Sequence, residues 1–270
     1  MPIDSGAIQL TNINIPNTFV FNKSGMDEHI NSDCLHVTLL IENQRVTKVI
    51  PSGFEIPEVP SVDGAGNIVL PKFTEIHVHL DKCHSIGRLK DVGGDLMAAI
   101  EEQAKDKANW SGEDIRRRAE RGLQELYNAG CQAVRTHVDW LDGFEPPATW
   151  HTMVQIASEW RHKMVVQCAP LIDISLFSDK VRADAMVKQI ADADGILGAF
   201  ILGHKNLENC LHVLFELARK YEVNVDFHVD EGMNPALNGI EIVADVLEKA
   251  DFNGNVLCGH VCNLMNYEPA

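Results

Sequence analysis

The sequence has no apolar run that approaches the roughly 20 residues needed to cross a bilayer. Its first residues, 1–10, have neither the basic start nor the apolar core of a secretory signal. The seven cysteines are an odd number without paired spacing, which is typical of a reducing compartment and not of a disulfide framework. We therefore expect a cytoplasmic protein.

Basic residues are also scarce. Lys and Arg number 23 against 39 Asp and Glu, which gives a formal net charge of -16 at pH 7. Such a charge repels phosphate backbones and anionic lipid surfaces, so we expect neither nucleic acid nor a membrane as a partner. The chain also lacks the G-x-G-x-x-G pattern and the G-K-[ST] phosphate loop, which argues against dinucleotide and nucleotide cofactors.

The composition is otherwise that of an ordinary globular protein, with 45% hydrophobic and 23% charged residues. At roughly 150 residues per domain, the length fits two domains, or one large α/β barrel with a small appendage. Residues 1–66 alternate β-type runs, at 19–21, 36–41 and 45–50, with turn residues such as Pro51, Gly53 and Gly66. This first region is predicted to be a small antiparallel β element.

From residue 68 the pattern changes to apolar runs of strand length separated by helical segments. Ser111 and Asp114 form a capping box before a helical segment that ends at Gly130, and Ser178 and Asn206 open two more segments. The last five strand starts recur about every 30 residues, the length of a βα unit, which predicts a parallel sheet. The six predicted strands are 68–79, 131–139, 164–171, 196–202, 223–229 and 255–260.

Several of these runs end in histidines and acids. In a (β/α)₈ barrel the carboxyl ends of all strands face one mouth, whereas a doubly wound sheet gathers its functional residues at a switch point. We therefore predict an α/β fold, a TIM-type (β/α)₈ barrel that is incomplete here, with about six βα units over residues 67–270. The strand-end residues are His77, His79, Asp81, His137, Asp139, His228, Asp230, Glu231 and His260.

Three histidines are the candidate metal ligands. His77 and His79 stand two apart on a strand, so both side chains leave the same face. Neutral imidazoles suit zinc or iron(II), and a catalytic centre needs about three protein ligands and an open position for water. With His228 as the third ligand, the pattern predicts a site for one divalent ion, iron or zinc.

The acids and the remaining histidines suggest hydrolysis. Glu231 lies just beyond a strand end, where its carboxylate can take a proton from an activated water and pass it to a leaving nitrogen. His260 can polarise a carbonyl or tetrahedral oxygen. His137, Asp139 and Asp230 are expected to orient the metal ligands through hydrogen bonds.

At this point the motifs resemble a known family. They are similar to the successive motifs of the amidohydrolase superfamily, most closely those of its cytosine deaminase-like branch, which also contains N-isopropylammelide hydrolase. The resemblance implies a mononuclear iron or zinc site with His77, His79 and His228 as ligands, Glu231 as the proton shuttle and His260 in contact with the hydrated substrate oxygen. It also implies that residues 1–66 are the first part of a small β-sandwich. The motifs are Pro71 to Lys82, Val134 to Asp139, Asp226 to Glu231 and Gly259-His260.

The sequence departs from that branch in two places. Where cytosine deaminases have a glutamine that reads the ring amide, this chain has Leu171 after Pro170. Leu171 at this substrate-binding position disfavours cytosine, so we expect a different cyclic amidine, lactam, triazine or N-alkyl heterocycle. The chain also ends at Ala270, before the seventh and eighth strands and the aspartate ligand of the eighth. We expect a truncated form of a longer enzyme, inactive without the aspartate of the eighth strand, whose open edges favour association with another copy.

Two alternatives stay open. In a binuclear amidase or lactamase of the same superfamily, a carboxylated Lys205 would bridge two metals and His260 would be a ligand. In a non-catalytic metal-binding fragment, the histidines would hold an ion without hydrolysis. The separate zinc deaminase fold is excluded, because its His-x-Glu and Pro-Cys-x-x-Cys elements do not occur here.

Overall fold

A computed structural model describes residues 6–21, 33–90, 92–94, 96–141 and 143–267. The chain divides into two units, Met1–Lys72 and Phe73–Ala270. Within the described residues, no helix is both long enough and apolar enough to span a membrane.

The first unit is a four-stranded sheet in the order β3-β2-β1-β4. Strands β1, β2 and β3 pair antiparallel, whereas β4 is parallel to β1. β2 and β3 contain the predicted runs 36–41 and 45–50, but the predicted run 19–21 is wrong, because Asn17–Phe19 form a 3₁₀ turn that follows the unpredicted strand β1. The β2–β3 hairpin turns at Asn43 and Gln44, which both have positive φ as a two-residue type I′ turn requires. Its apolar cluster includes Ile13, Leu35 and Val37, each 1% exposed. The strands are β1 (Ile8–Pro16), β2 (Cys34–Glu42), β3 (Arg45–Pro51) and β4 (Ser61–Asp63).

The second unit is a six-stranded parallel sheet whose spatial order follows the chain order, β5 to β10. Helices alternate with the strands, which confirms the predicted incomplete TIM-type barrel. The strands are β5 (Phe73–Val78), β6 (Cys131–Leu141), β7 (Val165–Asp173), β8 (Leu197–Ile201), β9 (Val225–Val229) and β10 (Val256–His260). The helices are α1 (Leu96–Asp106), α2 (Gly112–Asn128), α3 (Ala148–Trp160), α4 (Lys180–Asp192), α5 (Leu207–Lys220) and α6 (Gly239–Lys249).

The sheet curls so that its two outer strands, which do not pair, approach each other. A Cβ atom added at Gly259 on β10 would lie 3.1 Å from Nδ1 of His77 on β5, a tight contact that a glycine avoids. The barrel is therefore nearly closed, and the carboxyl ends of its strands surround one space.

The first barrel strand begins later than predicted. Ile68 forms a bridge with Asn14 in the first unit, and β5 starts only at Phe73. Pro71 has no N–H for a sheet ladder, so the apolar run 68–79 is divided between the two units.

The helix caps follow the sequence closely. Ser111 Oγ accepts the N–H of Asp114 at 3.1 Å, and the face of α2 with Ile115, Ala119 and Leu123 is buried. Helix α4 is capped by Asp179, the residue after the predicted Ser178, and its carboxylate accepts the N–H of Arg182.

Candidate active site

Five histidines meet at the carboxyl ends of β5, β6, β9 and β10. The ring centroid of His77 lies 4.2 Å from that of His137, 4.5 Å from that of His228 and 4.8 Å from that of His260. His79 follows directly after β5, and its ring centroid is 5.2 Å from that of His228. The predicted strand-end histidines therefore form one cluster.

Three of the rings have nitrogens that converge in the way a metal ion requires. One ligand atom each of His77, His137 and His228 can be chosen so that all three lie within 4.8 Å of one another. His137 was expected only to orient the ligands, but the structure places it in this trio. The curvature of the barrel explains this position, because it turns the inward face of β6 toward β5 and β9.

His79 approaches the same place from the side. Its Nδ1 lies 3.1 Å from the carbonyl oxygen of His137, which can only accept a hydrogen bond, so Nδ1 carries the proton. The lone pair is then on Nε2, which lies 3.3 Å from Nε2 of His228. This meeting of ring nitrogens suits a shared cation. The donor set of neutral imidazoles suits zinc, iron and other transition metals.

Burial keeps these rings uncharged. Burial, followed by the proximity of the other histidines, lowers the pKa of His77 to about 4. Burial and the nearby Lys82 lower the pKa of His79 to about 2, and burial holds the pKa of His228 far below its usual range. The three rings are therefore neutral at physiological pH, which is the protonation state that binds metals.

Glu231 and His260 form a pair beside the cluster. Glu231 Oε1 lies 3.5 Å from His260 Nδ1, and both side chains keep partial access to solvent. His260 and Val261 both adopt left-handed backbone conformations, with φ of 66° and 43°. For a β-branched residue such as Val261 this conformation is strained, and strain of this kind clusters at functional sites.

Asp230 holds the loop that carries Glu231. Its fully buried carboxylate accepts the N–H groups of Gly239 at 3.1 Å and Ile240 at 2.9 Å, at the start of α6. Its own φ is 52°, and its N–H donates to the carbonyl of Ile201. The hydrogen bonds of Asp230 thus run to the helix start and fix the backbone next to Glu231.

Asp139 lies between two lysines. Its carboxylate oxygens are 3.2 Å from Lys82 Nζ and 2.6 Å from Lys107 Nζ, and its N–H donates to Asp81 Oδ2 at 2.7 Å. Burial raises the pKa of Asp81 to about 6. Sequence reasoning assigned no role to Asp81, although the His-x-His-x-Asp run made it visible. Lys107 follows a helix and gave no local signal.

A cavity of about 450 Å³ opens in front of the cluster. His79, His228 and Glu231 line it together with apolar residues that include Leu171 and Phe200. The position predicted to face the substrate is therefore in the cavity wall. A larger cavity of about 700 Å³ lies at the amino ends of β7, β8 and β9, and no histidine lines it. The chemistry of the side chains favours the smaller cavity as the site.

Lys205, which would bridge two metals in the binuclear alternative, lies outside the cavity wall. Lys205 is exposed and is not part of the cavity wall, whereas its neighbour His204 is. His204 Nδ1 accepts the N–H of Leu202 at 2.9 Å, and its Nε2 lies 3.4 Å from Asp173 Oδ2.

Two curated proteins are similar to the chain in sequence. A pterin deaminase from Rhizobium rhizogenes (strain K84 / ATCC BAA-868) is 25% identical over 264 residues, which cover 97% of this chain and 60% of that protein. An N-isopropylammelide isopropyl amidohydrolase from Pseudomonas sp. (strain ADP) is 23% identical over 211 residues, 74% of this chain and 51% of that protein. The chain thus spans between half and two thirds of the length of these relatives. No protein-family model matches it.

Solved structures agree in fold. A 5-methylcytosine deaminase from Klebsiella pneumoniae, liganded with phosphonocytosine, has a TM-score of 0.73 at 19% identity, over 97% of this chain and 61% of its own. An atrazine chlorohydrolase from Arthrobacter aurescens, complexed with zinc, has a TM-score of 0.64 at 14% identity, over 94% of this chain and 60% of its own. These structures share the barrel fold, and the two sequence relatives confirm the resemblance to the deaminase branch of the amidohydrolase superfamily. The histidine trio supports a metal cofactor.

Proposed function

We propose that the chain acts as a metal-dependent hydrolase on a C–N bond of a cyclic amidine or an N-substituted nitrogen heterocycle. The observation that carries this proposal is the pair of Glu231 and His260, 3.5 Å apart, beside a cluster of buried neutral imidazoles. A carboxylate for proton transfer, a histidine for the developing oxyanion and a metal-binding set are the parts that such a hydrolysis needs. The sequence relatives, named for C–N hydrolysis of heterocycles, support the same reaction class.

The cofactor is proposed to be one divalent ion, zinc or iron. His77, His79 and His228 would hold it, with His137 close enough to take part. When bound, such an ion supplies the Lewis acidity that makes a water molecule nucleophilic near neutral pH.

Side chains of the protein transfer the protons and bind the developing oxyanion. Glu231 accepts a proton from the attacking water as the new C–O bond forms and passes it to the ring nitrogen; it then transfers the remaining hydroxyl proton to the amine nitrogen as the carbonyl forms and the C–N bond breaks. His260 donates a hydrogen bond to the oxygen on the attacked carbon. The products are an oxo-heterocycle and ammonia or an amine, so that atoms and charge balance.

The residues of the cavity wall restrict the range of possible substrates. Leu171 and Phe200 are apolar and face the same space as Glu231, so this part of the wall contacts a ring face or an alkyl group. A leucine cannot form a hydrogen bond with a ring amide. We therefore favour a substrate other than cytosine, such as a triazine, a lactam or an N-alkylated ring.

The first test is the metal content of the chain, purified without chelator or added metal and measured by plasma mass spectrometry. About one iron or zinc per chain is expected. About two would favour the binuclear alternative, and an absence of metal would contradict the proposal. The metal-loaded chain is then assayed for release of ammonia or amine from aminopyrimidines, pterins and N-alkylaminotriazines. Metal binding without release from any of these compounds would favour the non-catalytic alternative.

A substitution identifies the proton shuttle. Glu231→Gln should lower kcat by about 10² to 10⁴-fold, because the amide cannot accept the proton, while the metal content stays unchanged. Glu113→Gln, at an exposed position on α2, is the matched control and should have no effect. Full turnover in Glu231→Gln would remove Glu231 from the mechanism.

A further inference from the structure

A buried carboxylate lies behind the histidine cluster and takes no part in the proposed chemistry. Asp226 on β9 is 0% exposed, and it stands two residues before His228, on the same face of the strand. Its Oδ2 accepts a hydrogen bond from Arg135 Nη1 at 2.8 Å. Arg135 also donates to Gln167 Oε1, from Nε at 3.1 Å and from Nη2 at 2.9 Å. The interior of a TIM-type barrel is usually filled by branched apolar side chains, so this charged pair needs an explanation.

The other oxygen of the carboxylate faces a histidine. Asp226 Oδ1 lies 3.1 Å from Nε2 of His137, a ring that is 1% exposed. In the part of the chain that the structure describes, neither ring nitrogen of His137 has a hydrogen bond of good geometry, and the same holds for Asp226 Oδ1. His137 Nε2 and Asp226 Oδ1 can therefore satisfy each other, because a protonated Nε2 donates a hydrogen bond and a carboxylate oxygen accepts one.

We propose that Asp226, held by Arg135, is a positioning residue that sets the tautomer of His137. Asp226 Oδ1 accepts the Nε2 proton, which leaves the lone pair of His137 on Nδ1 and available for a metal ion. The ion itself belongs to the proposed function, on which this inference rests. A carboxylate behind a ligand histidine raises the basicity of the ring and fixes its orientation. Arg135 compensates the charge that Asp226 carries into the barrel.

The tautomer can be read without any metal. In ¹⁵N–¹H correlation spectra of the metal-free protein, His137 should show a protonated Nε2 and an unprotonated Nδ1. A wild-type His137 with its proton on Nδ1 would overturn the inference, whether or not the protein binds metal or hydrolyses a substrate. The failure of this proposal and the failure of the proposed function are therefore distinguishable.

Metal affinity is the second readout. Asp226→Asn should weaken Zn²⁺ binding by about 10- to 100-fold in a chelator competition, and it should shift the visible absorption bands of the Co²⁺ form. Asp114→Asn is the matched control, because Asp114 is also a buried carboxylate held by arginines but lies on α2. Its Zn²⁺ affinity should equal that of the wild type.

A double variant distinguishes a positioning role of Asp226 from a purely structural role. Removing only one charge of a buried pair destabilises a protein, whereas replacing both with apolar residues is often neutral. Arg135→Met/Asp226→Leu should therefore keep a Tm close to that of the wild type and still lose about 10- to 100-fold in Zn²⁺ affinity. A folded double variant with wild-type affinity and an unchanged His137 tautomer would show a structural role only and would overturn the proposal.

Discussion

Two buried polar networks in the second unit differ in how completely their acceptor atoms, the carboxylate oxygens and imidazole nitrogens, are paired. The outer network joins Arg88, Asp106, Asp114 and Arg118 around α1 and α2. Asp114 Oδ1 accepts from Arg88 at 2.8 Å and Oδ2 accepts from Arg118 at 2.9 Å, while Asp106 Oδ2 accepts from Arg88 at 2.7 Å. Burial alone would raise the pKa of Asp114, but the hydrogen bonds from Arg88 and Arg118 outweigh burial and lower it.

The inner network is the histidine cluster with Asp226 and Arg135, and it is incomplete. Both ring nitrogens of His137, Nδ1 of His228 and Oδ1 of Asp226 are buried without a well-formed hydrogen bond among the described residues. Burial lowers the pKa of His77, His79 and His228. A network whose carboxylates are fully paired stabilises a fold, whereas one with open lone pairs is suited to a ligand. The outer network therefore suits a structural role, and the inner network suits ligand binding.

The largest expected effect is that of metal on the inner network. Zn²⁺ at about 1,000 times its Kd should raise the free energy of unfolding by about 4 kcal/mol, because the ion binds only the folded state. His228→Asn should lose most of this increment, and Asp114→Asn should keep it. Thermal unfolding with and without Zn²⁺ measures both variants. An equal increment in His228→Asn would exclude His228 as a ligand.

The outer network should show the opposite response. Asp114→Asn leaves Arg88 and Arg118 without their shared carboxylate, so we expect a loss of about 3 kcal/mol in the free energy of unfolding. Urea denaturation of the metal-free protein measures the loss. A loss below about 0.5 kcal/mol would mean that the outer network stabilises no more than a surface ion pair does.

Acid should weaken the inner network in the metal-free protein. His228 stays neutral in the folded state but is protonated in the unfolded state below pH 6.5, so stability is lost as the pH falls from 6.5 toward 4. The slope approaches about 1.4 kcal/mol per pH unit for such a residue. Asp81, with its pKa raised to about 6, acts in the opposite sense, so Asp81→Asn should steepen the decline. Urea denaturation at several pH values tests this, and a flat profile in Asp81→Asn would contradict it.

Strand-end positions and their two-residue alternation made much of the site predictable. That pattern alone placed His77, His79, His137, His228 and His260 at one mouth, and the βα spacing indicated the barrel. Distances across the barrel could not be predicted in the same way, because they depend on register and curvature. His137 is the example, since its place among the metal-binding trio follows from how β6 curls toward β9.

Two other features could not be predicted from the sequence. Asp226 stands on the inward face with His228 by simple alternation, but its partner Arg135 is 91 positions away and is fixed only by the folded barrel. The predicted start of β5 at residue 68 was wrong, because the sequence of an apolar run does not show which of two sheets the run joins. Only the pairing of Ile68 with Asn14 settles that question.

The smallest expected effect concerns Asp230, a residue of the inner region whose carboxylate is fully paired like those of the outer network. A Cβ atom at Gly239 would lie 2.6 Å from Asp230 Oδ1 and 3.0 Å from side-chain atoms of Ile201 and Val229. Gly239→Ala should therefore cost about 1 kcal/mol net, since overpacking outweighs the gain in helix propensity.

The same substitution should also lower kcat of the folded protein, by more than the loss of stability explains. The reason is that it displaces the carboxylate that fixes the backbone beside Glu231. Gly112→Ala is the matched control. Gly112 also begins a helix, and a Cβ atom there meets only Thr152 Oγ1, at an ordinary 3.4 Å. Thermal unfolding and kcat are measured for both variants. Equal behaviour of the two would mean that Asp230 only caps α6, and that the position of Glu231 does not depend on it.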